Sequence, residues 1–148
     1  MNGDGPGGLH EFAHRHELVV TLRDLDALGH ANNAAIVTYL EDARTEYLLG
    51  RRGIRDVRQF DFILARTEID YRTPAMLHER IEVLIRPIRI GTKSFDLEYL
   101  VREVAAGRLI AEAKTVLVSF DFAKNVSVAI PEELRTLLNW DLELGAHS

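Results

Sequence analysis

The chain has 148 residues, 47% of them hydrophobic and 28% charged, which suits one globular domain around a single core. It contains no cysteine, so disulfides and thiolate-bound metals are excluded. A formal net charge of -5 argues against a general nucleic-acid partner, which would carry a basic excess.

Residues 1–14 are rich in Gly, Pro and polar side chains and lack the basic start and apolar run of a secretory signal. They read as a flexible tail, leaving 15–148 as one domain. No apolar run approaches the ~18 residues needed to cross a bilayer, so a cytoplasmic protein with no membrane partner is expected. Next, "ELVVTLR" places Leu18, Val20 and Leu22 on one face of a short strand. From Asn33 to Leu49 the apolar positions Ile36, Leu40, Ala43 and Tyr47 recur at helical spacing, widened by Tyr39 and Leu48. Asn32 or Asn33 is the expected N-cap, and Gly50 the residue just past the end.

The second half reads as strands. "FDFILARTEIDYRT" puts Ile63, Ala65, Ile69 and Tyr71 on one face. In "ERIEVLIRPIRI", Pro87 requires an edge or a bulge. "SFDLEYLVR" alternates, with Phe95, Leu97, Tyr99 and Val101 inward. "LIAEAKTVLVSFD" is apolar on both faces at its centre, as for a strand covered on both sides. Pro131 opens a short terminal helix. One long helix among strands joined by short turns predicts an α+β fold, with an antiparallel sheet wrapped around that helix.

Chemistry concentrates just before the long helix, in "RDLDALGHANN". The first N–H groups of a helix lack intrahelical partners, and its dipole places roughly half a positive charge there. Such an end can polarise a carbonyl and hold an oxyanion. A neighbouring carboxylate can then attack the carbonyl or activate a water. On spacing alone, caps and turns explain these Asp and Asn residues equally well.

The stretch resembles the hotdog-fold acyl-CoA thioesterases of the hydroxybenzoyl-CoA thioesterase branch, which show D-x-D-x-x-G-H-x-N-N followed by E-x-A-R. Asp24, Asp26, Gly29, His30, Asn32 and Asn33 stand in register with it, as do Glu41, Ala43 and Arg44. The likeness continues through "IDYRTPA", "IGTKSF", "GRLIAEAKTVLVSFD" and "IPEELR". It implies a curved antiparallel sheet around one central helix, assembly as a dimer or tetramer, and active sites at the subunit interface. It also implies Asp26 as the catalytic carboxylate, as nucleophile or general base, and the Asn33 backbone N–H as oxyanion donor. Gly29, His30 and Asn32 would support the loop and pocket, and Asp24 would be structural. Two departures stand out: Ile36 replaces the family's tyrosine, and His78-Glu79 replaces a Gly-Asp pair. Without its glycine, that turn is expected to change backbone geometry.

The implied reaction is hydrolysis of an acyl-CoA to free acid and CoA, with no cofactor and no metal. The alternatives are an acyl-carrier-protein thioesterase and a non-catalytic acyl-CoA-binding domain. Thr92, Lys93 and Ser94 are possible CoA contacts, and Arg51, Arg52, Arg55 and Arg58 a possible basic docking patch or an ordinary solvated loop. Glu41 and Arg44 form a modest i,i+3 pair, unless one of them faces a subunit interface.

Overall fold

The computed structural model describes residues 12–146. Five strands, β1 (His14–Val19), β2 (Phe62–Tyr71), β3 (Arg80–Ile90), β4 (Ser94–Glu103) and β5 (Leu109–Asp121), form an antiparallel sheet in the order β1-β3-β4-β5-β2. A two-residue strand, β6 (Val126–Ser127), pairs with the end of β5. The sheet curls around helix α1 (Asn33–Leu48), and helix α2 (Glu132–Ala146) follows the last strand.

The helix forms where its stripe predicts. Asn32 is the N-cap, its side chain accepting the Ala35 N–H at 3.0 Å. Ile36, Tyr39, Leu40, Ala43, Tyr47 and Leu48 are all buried, in one core with Ile81, Val83 and Ile85 of β3 and Phe95, Leu97 and Tyr99 of β4. At ~1.5–3 kcal/mol per large apolar side chain, that stripe contributes on the order of 10 kcal/mol and fixes the helix against the sheet. Gly50 opens a 3-10 turn, and the left-handed residue falls at Gly53, with φ 70°.

Several expectations shift. Residues 1–11 of the expected tail lie outside the described residues, and His14 already pairs with Ile85 in β1. The first strand ends at Val19, because the Asp24 carboxylate accepts the Thr21 N–H at 2.9 Å and draws the chain into a turn. Leu22 is exposed there. In β2 the register slips between Leu64 and Arg66. Phe62 and Leu64 therefore share the concave face with Ile69 and Tyr71, while Ile63 points outward: one extra residue reverses the alternation. Pro87 sits at a register shift between β3 and β4, the bulge its ring requires. β5 is covered on one face; Ala111, Thr115 and Leu117 are buried, whereas Lys114 is exposed and Val116 and Val118 are half-buried.

The turn at His78-Glu79 keeps the geometry that its composition argued against. His78 takes φ 69°, in the left-handed region. The Glu79 carboxylate accepts the Met76 N–H at 2.7 Å and pairs with Arg108 at 2.7 Å. Side-chain bonds thus hold a turn that glycine would otherwise have made cheap.

Candidate active site

The loop before α1 is a small hairpin. Leu25 and Ala31 bridge antiparallel, and the Asp26 N–H donates to the His30 carbonyl at 3.0 Å. Its tip closes through the Gly29 N–H to the Asp26 carbonyl at 3.0 Å. Gly29 adopts φ 85° with nothing within 4 Å of a Cβ placed there, so backbone conformation rather than crowding calls for glycine. One Asp26 oxygen accepts the Leu28 N–H at 2.8 Å, an Asx turn that orients the carboxylate. Asp26 is half-buried.

Asp24 anchors the hairpin to the helix. Its carboxylate accepts the Tyr39 hydroxyl at 2.8 Å and both the N–H and hydroxyl of Thr21, while its carbonyl accepts the Asn32 N–H at 3.0 Å. Burial pushes the Asp24 carboxyl up, but the bonds from Thr21 and Tyr39 outweigh it and hold the group below its ordinary value. Burial, together with the Asp24 charge, pushes the Tyr39 hydroxyl up. This tie fixes Asn32, and Asn32 caps α1.

Asn33 is therefore the first residue of the helix, and among the described residues its N–H meets no backbone acceptor. The N-terminus opens on a cavity of about 220 Å³ lined by His30, Asn33, Ile36, Tyr71, Pro74 and Ile110, among others. Ile36 takes part in that lining where the family has a tyrosine, and it makes the wall apolar. Tyr71 reaches over from β2, its hydroxyl 3.4 Å from the Asn33 carbonyl. His30 is half-buried, with Nδ1 3.4 Å from the Ala31 carbonyl, and its backbone bridges to Met76. Asp26 stands outside this lining, one hairpin rung from His30.

The structure thus brings Asp26, Gly29, His30, Asn32 and Asn33 together around the helix start. It does not bring Thr92, Lys93 and Ser94 to them within one chain. The Lys93 carbonyl accepts the Ser119 N–H at 2.8 Å, and Ser119 pairs with Phe62, whereas Asn33 meets Tyr71 at the other end of β2. Ten residues of strand separate the two ends by roughly 30 Å. The arginines after α1 are largely consumed internally. Arg51 pairs with Asp141 at 3.0 Å, Arg52 with Asp61 at 2.7 Å and Glu133 at 2.8 Å, and Arg58 with Asp56 at 2.9 Å; Arg55 is exposed.

Sequence reasoning missed Tyr71, whose strand position gave no sign that it would meet the helix start. It also missed the Tyr39–Asp24 bond and the depth of Arg44, which is only 5% exposed and whose charge acts on the buried Tyr99 hydroxyl. Among the described residues no group of three or more His, Asp or Glu is placed to hold a metal ion, and no helix is long and apolar enough to cross a membrane.

A curled antiparallel sheet wrapped around one long central helix is the architecture of the hotdog-fold thioesterases. Residues 20–138 match the profile of the thioesterase-like superfamily, and the chain belongs to that family. It is 27% identical over 116 residues to the long-chain acyl-CoA thioesterase FadM of Escherichia coli K12, covering 77% of this chain and 88% of that one. A thioesterase from Thermus thermophilus, solved in complex with coenzyme A and Zn, is 32% identical with a TM-score of 0.78, covering 90% of this chain and 96% of its own. A predicted thioesterase from Bacillus stearothermophilus shares the fold at TM-score 0.81 and 21% identity, covering 87% of this chain and 96% of its own.

Proposed function

We propose that this thioesterase hydrolyses acyl-CoA to a free carboxylic acid and CoA. The unpaired N–H of Asn33, opening on a cavity beside an aspartate hairpin, carries the reading. That N–H and the helix dipole polarise the thioester carbonyl and hold the oxyanion. Asp26 acts in one of two ways. Its carboxylate attacks the carbonyl carbon, the C–S bond breaks, CoA leaves, and water hydrolyses the resulting anhydride. Otherwise it takes a proton from a water whose oxygen attacks, and the thiolate leaves with the same C–S cleavage. The named activity of FadM and the bound coenzyme A of the Thermus protein support CoA as the carrier.

The working unit is a homodimer through β2. Among the described strands β2 pairs only with β5, and it is exposed from Ile63 to Glu68. An unpaired edge of that length is a template for a second copy. Antiparallel pairing about a two-fold axis would carry the partner's helix start toward the Phe62 end of β2. There the Thr92–Ser94 turn could meet the CoA bound by the partner. Acyl carrier protein is the less favoured carrier, since three of the four arginines that would greet its acidic surface already hold acids of this chain.

The test is thiol release from a panel of acyl-CoA and acyl-carrier substrates, run with wild type and Asp26→Asn, beside light scattering for the oligomer. Turnover of acyl-CoA that Asp26→Asn abolishes with the fold intact is expected. Saturable binding without thiol release would replace the enzyme with a ligand-binding domain. Trapping of an acyl-Asp26 anhydride by hydroxylamine separates nucleophile from general base.

A further inference from the structure

The cavity at the start of α1 has apolar walls and a sparse polar rim. Ile36, Ala75 and Ile110 are buried in its lining. Two of the polar side chains around it are engaged elsewhere. The Thr73 hydroxyl donates to the Leu109 carbonyl at 2.8 Å and accepts from Arg108 at 3.2 Å, and Arg72 pairs with Glu112 at 2.9 Å. Tyr71 differs. It is 44% exposed, and its hydroxyl makes a long contact, 3.4 Å to the Asn33 carbonyl. Hydroxyl-to-oxygen bonds normally span about 2.5–3.0 Å, so this one is weak. The Asn33 carbonyl loses little without it, because a helical carbonyl also accepts the N–H four residues on.

An oxyanion at this helix start needs more than Asn33 supplies. An attacked thioester carbonyl gains negative charge, and a single backbone N–H answers only one of the oxygen's acceptor sites. The rest would face Ile36 and Ile110, where unbonded charge is costly. The next N–H groups are of little help. Ala35 donates to the Asn32 side chain at 3.0 Å, Ile36 donates to the Asn32 carbonyl at 3.3 Å, and Ala34 is not part of the cavity lining. A second donor has to come from a side chain. Among the described residues, Tyr71 is the one whose side chain hydrogen-bonds to Asn33. The carbonyl it touches and the N–H that opens on the cavity are only a few bonds apart in one residue, so an oxygen held by that N–H lies near the phenol.

We propose that Tyr71 is a catalytic residue of this site, its hydroxyl the second donor to the thioester oxygen. The proposal rests on the thioester-hydrolysis reading of the helix start. As the acyl group enters, the hydroxyl leaves the Asn33 carbonyl and donates to the substrate oxygen. The bond becomes charge-assisted and strengthens as the tetrahedral species forms. The phenol keeps its proton throughout, and the oxygen's electron pair re-forms the C=O bond as the C–S bond breaks. An interaction strongest in the transition state raises kcat more than it lowers KM. Tyr71 follows the exposed Ile63–Glu68 stretch offered to a second copy, and its hydroxyl already points at its own subunit's Asn33, so strand pairing leaves it in that site.

The experiment compares wild type with Tyr71→Phe, which keeps the ring and removes only the donor, both checked for folding by their melting transitions. In thiol release, kcat should fall by about 100-fold, the low end for one oxyanion donor, with KM changed by about twofold or less. A second readout follows the carbonyl itself. Octanoyl- and benzoyl-CoA analogues with a methylene in place of the thioester sulfur are ketones that cannot be hydrolysed, and an isotope-labelled carbonyl gives them a separate infrared band. The bound ketone should absorb at higher frequency in Tyr71→Phe than in wild type, because one polarising bond is gone; a role in packing alone would not move the band. Wild-type kcat in Tyr71→Phe overturns the proposal, as does a loss confined to KM or an equal band frequency in the two proteins. If wild type releases no thiol from any acyl-CoA, the hydrolysis reading fails, and the band still decides whether Tyr71 donates to a bound carbonyl. If wild type also binds neither ketone, both readings fall together.

Discussion

The Tyr39 hydroxyl donates to the Asp24 carboxylate at 2.8 Å, tying the loop before the central helix to that helix's own buried face. The bond spans 15 residues of sequence, and it sets where the helix starts relative to the aspartate hairpin. Tyr39→Phe should lower stability by about 1–2 kcal/mol, because it leaves a partly buried carboxylate short of a donor. A larger proportional loss in kcat than in stability would show that the bond positions the site; denaturant unfolding beside thiol release measures both.

Asp24 also makes a pH prediction. Its folded-state value is depressed by the bonds that outweigh burial, so its contribution is fully present above the unfolded value of ~3.9. The contribution is lost as pH falls through the lower folded-state value. The stability gap between wild type and Asp24→Asn should thus narrow as pH drops below about 4, with a size of ~1 kcal/mol or less for so accessible a group. Melting temperatures of the two proteins across acidic pH check it.

Asn32 and Asn33 should separate structure from chemistry. Asn32→Ala removes the cap and should cost about 1 kcal/mol. Asn33→Ala keeps the backbone N–H and should be mild. Asn33→Pro deletes that N–H at the first helical position, where proline is tolerated, and Asn32 at φ -77°, ψ 165° already has the extended conformation a following proline demands. Activity should fall by about 100–1,000-fold with helix content unchanged. Wild-type turnover in Asn33→Pro would remove this N–H from the reaction.

His78 sits at φ 69° on an exposed turn, a conformation that disfavours a side chain. His78→Gly should stabilise the protein by roughly 0.5–1 kcal/mol, after allowing for glycine's greater freedom when unfolded. The His78 N–H bond to the Val20 carbonyl at 2.9 Å survives the change. Urea denaturation reads the outcome.

Tyr47 donates to Asp141 at 2.6 Å, and this carboxylate, 1% exposed, is otherwise held by Arg51 at 3.0 Å. The bond pins α2 to the end of α1. Tyr47→Phe should cost about 2–3 kcal/mol by leaving a buried charge underbonded. Hydrogen exchange should rise first in α2.

Features that depend on neighbours along the chain were legible before any folding was known. The helical stripe from Ile36 to Leu48, the alternation of Phe95, Leu97, Tyr99 and Val101, and the cap at Asn32 follow from local periodicity and side-chain-to-backbone bonding. So does the gathering of Asp26, Gly29, His30 and Asn33, because all lie within one short loop. Whatever depends on register was settled only in the folded chain. The slip after Leu64 chose which face of β2 looks inward, and so placed Leu64 rather than Ile63 on the concave face. Curling of the sheet put Tyr71 at the helix start and buried Arg44, and it set Arg51 and Arg52 on acids 90 and 9 residues away. Periodicity along one element carries no information about which distant element it will meet; strand pairing and core packing supply it.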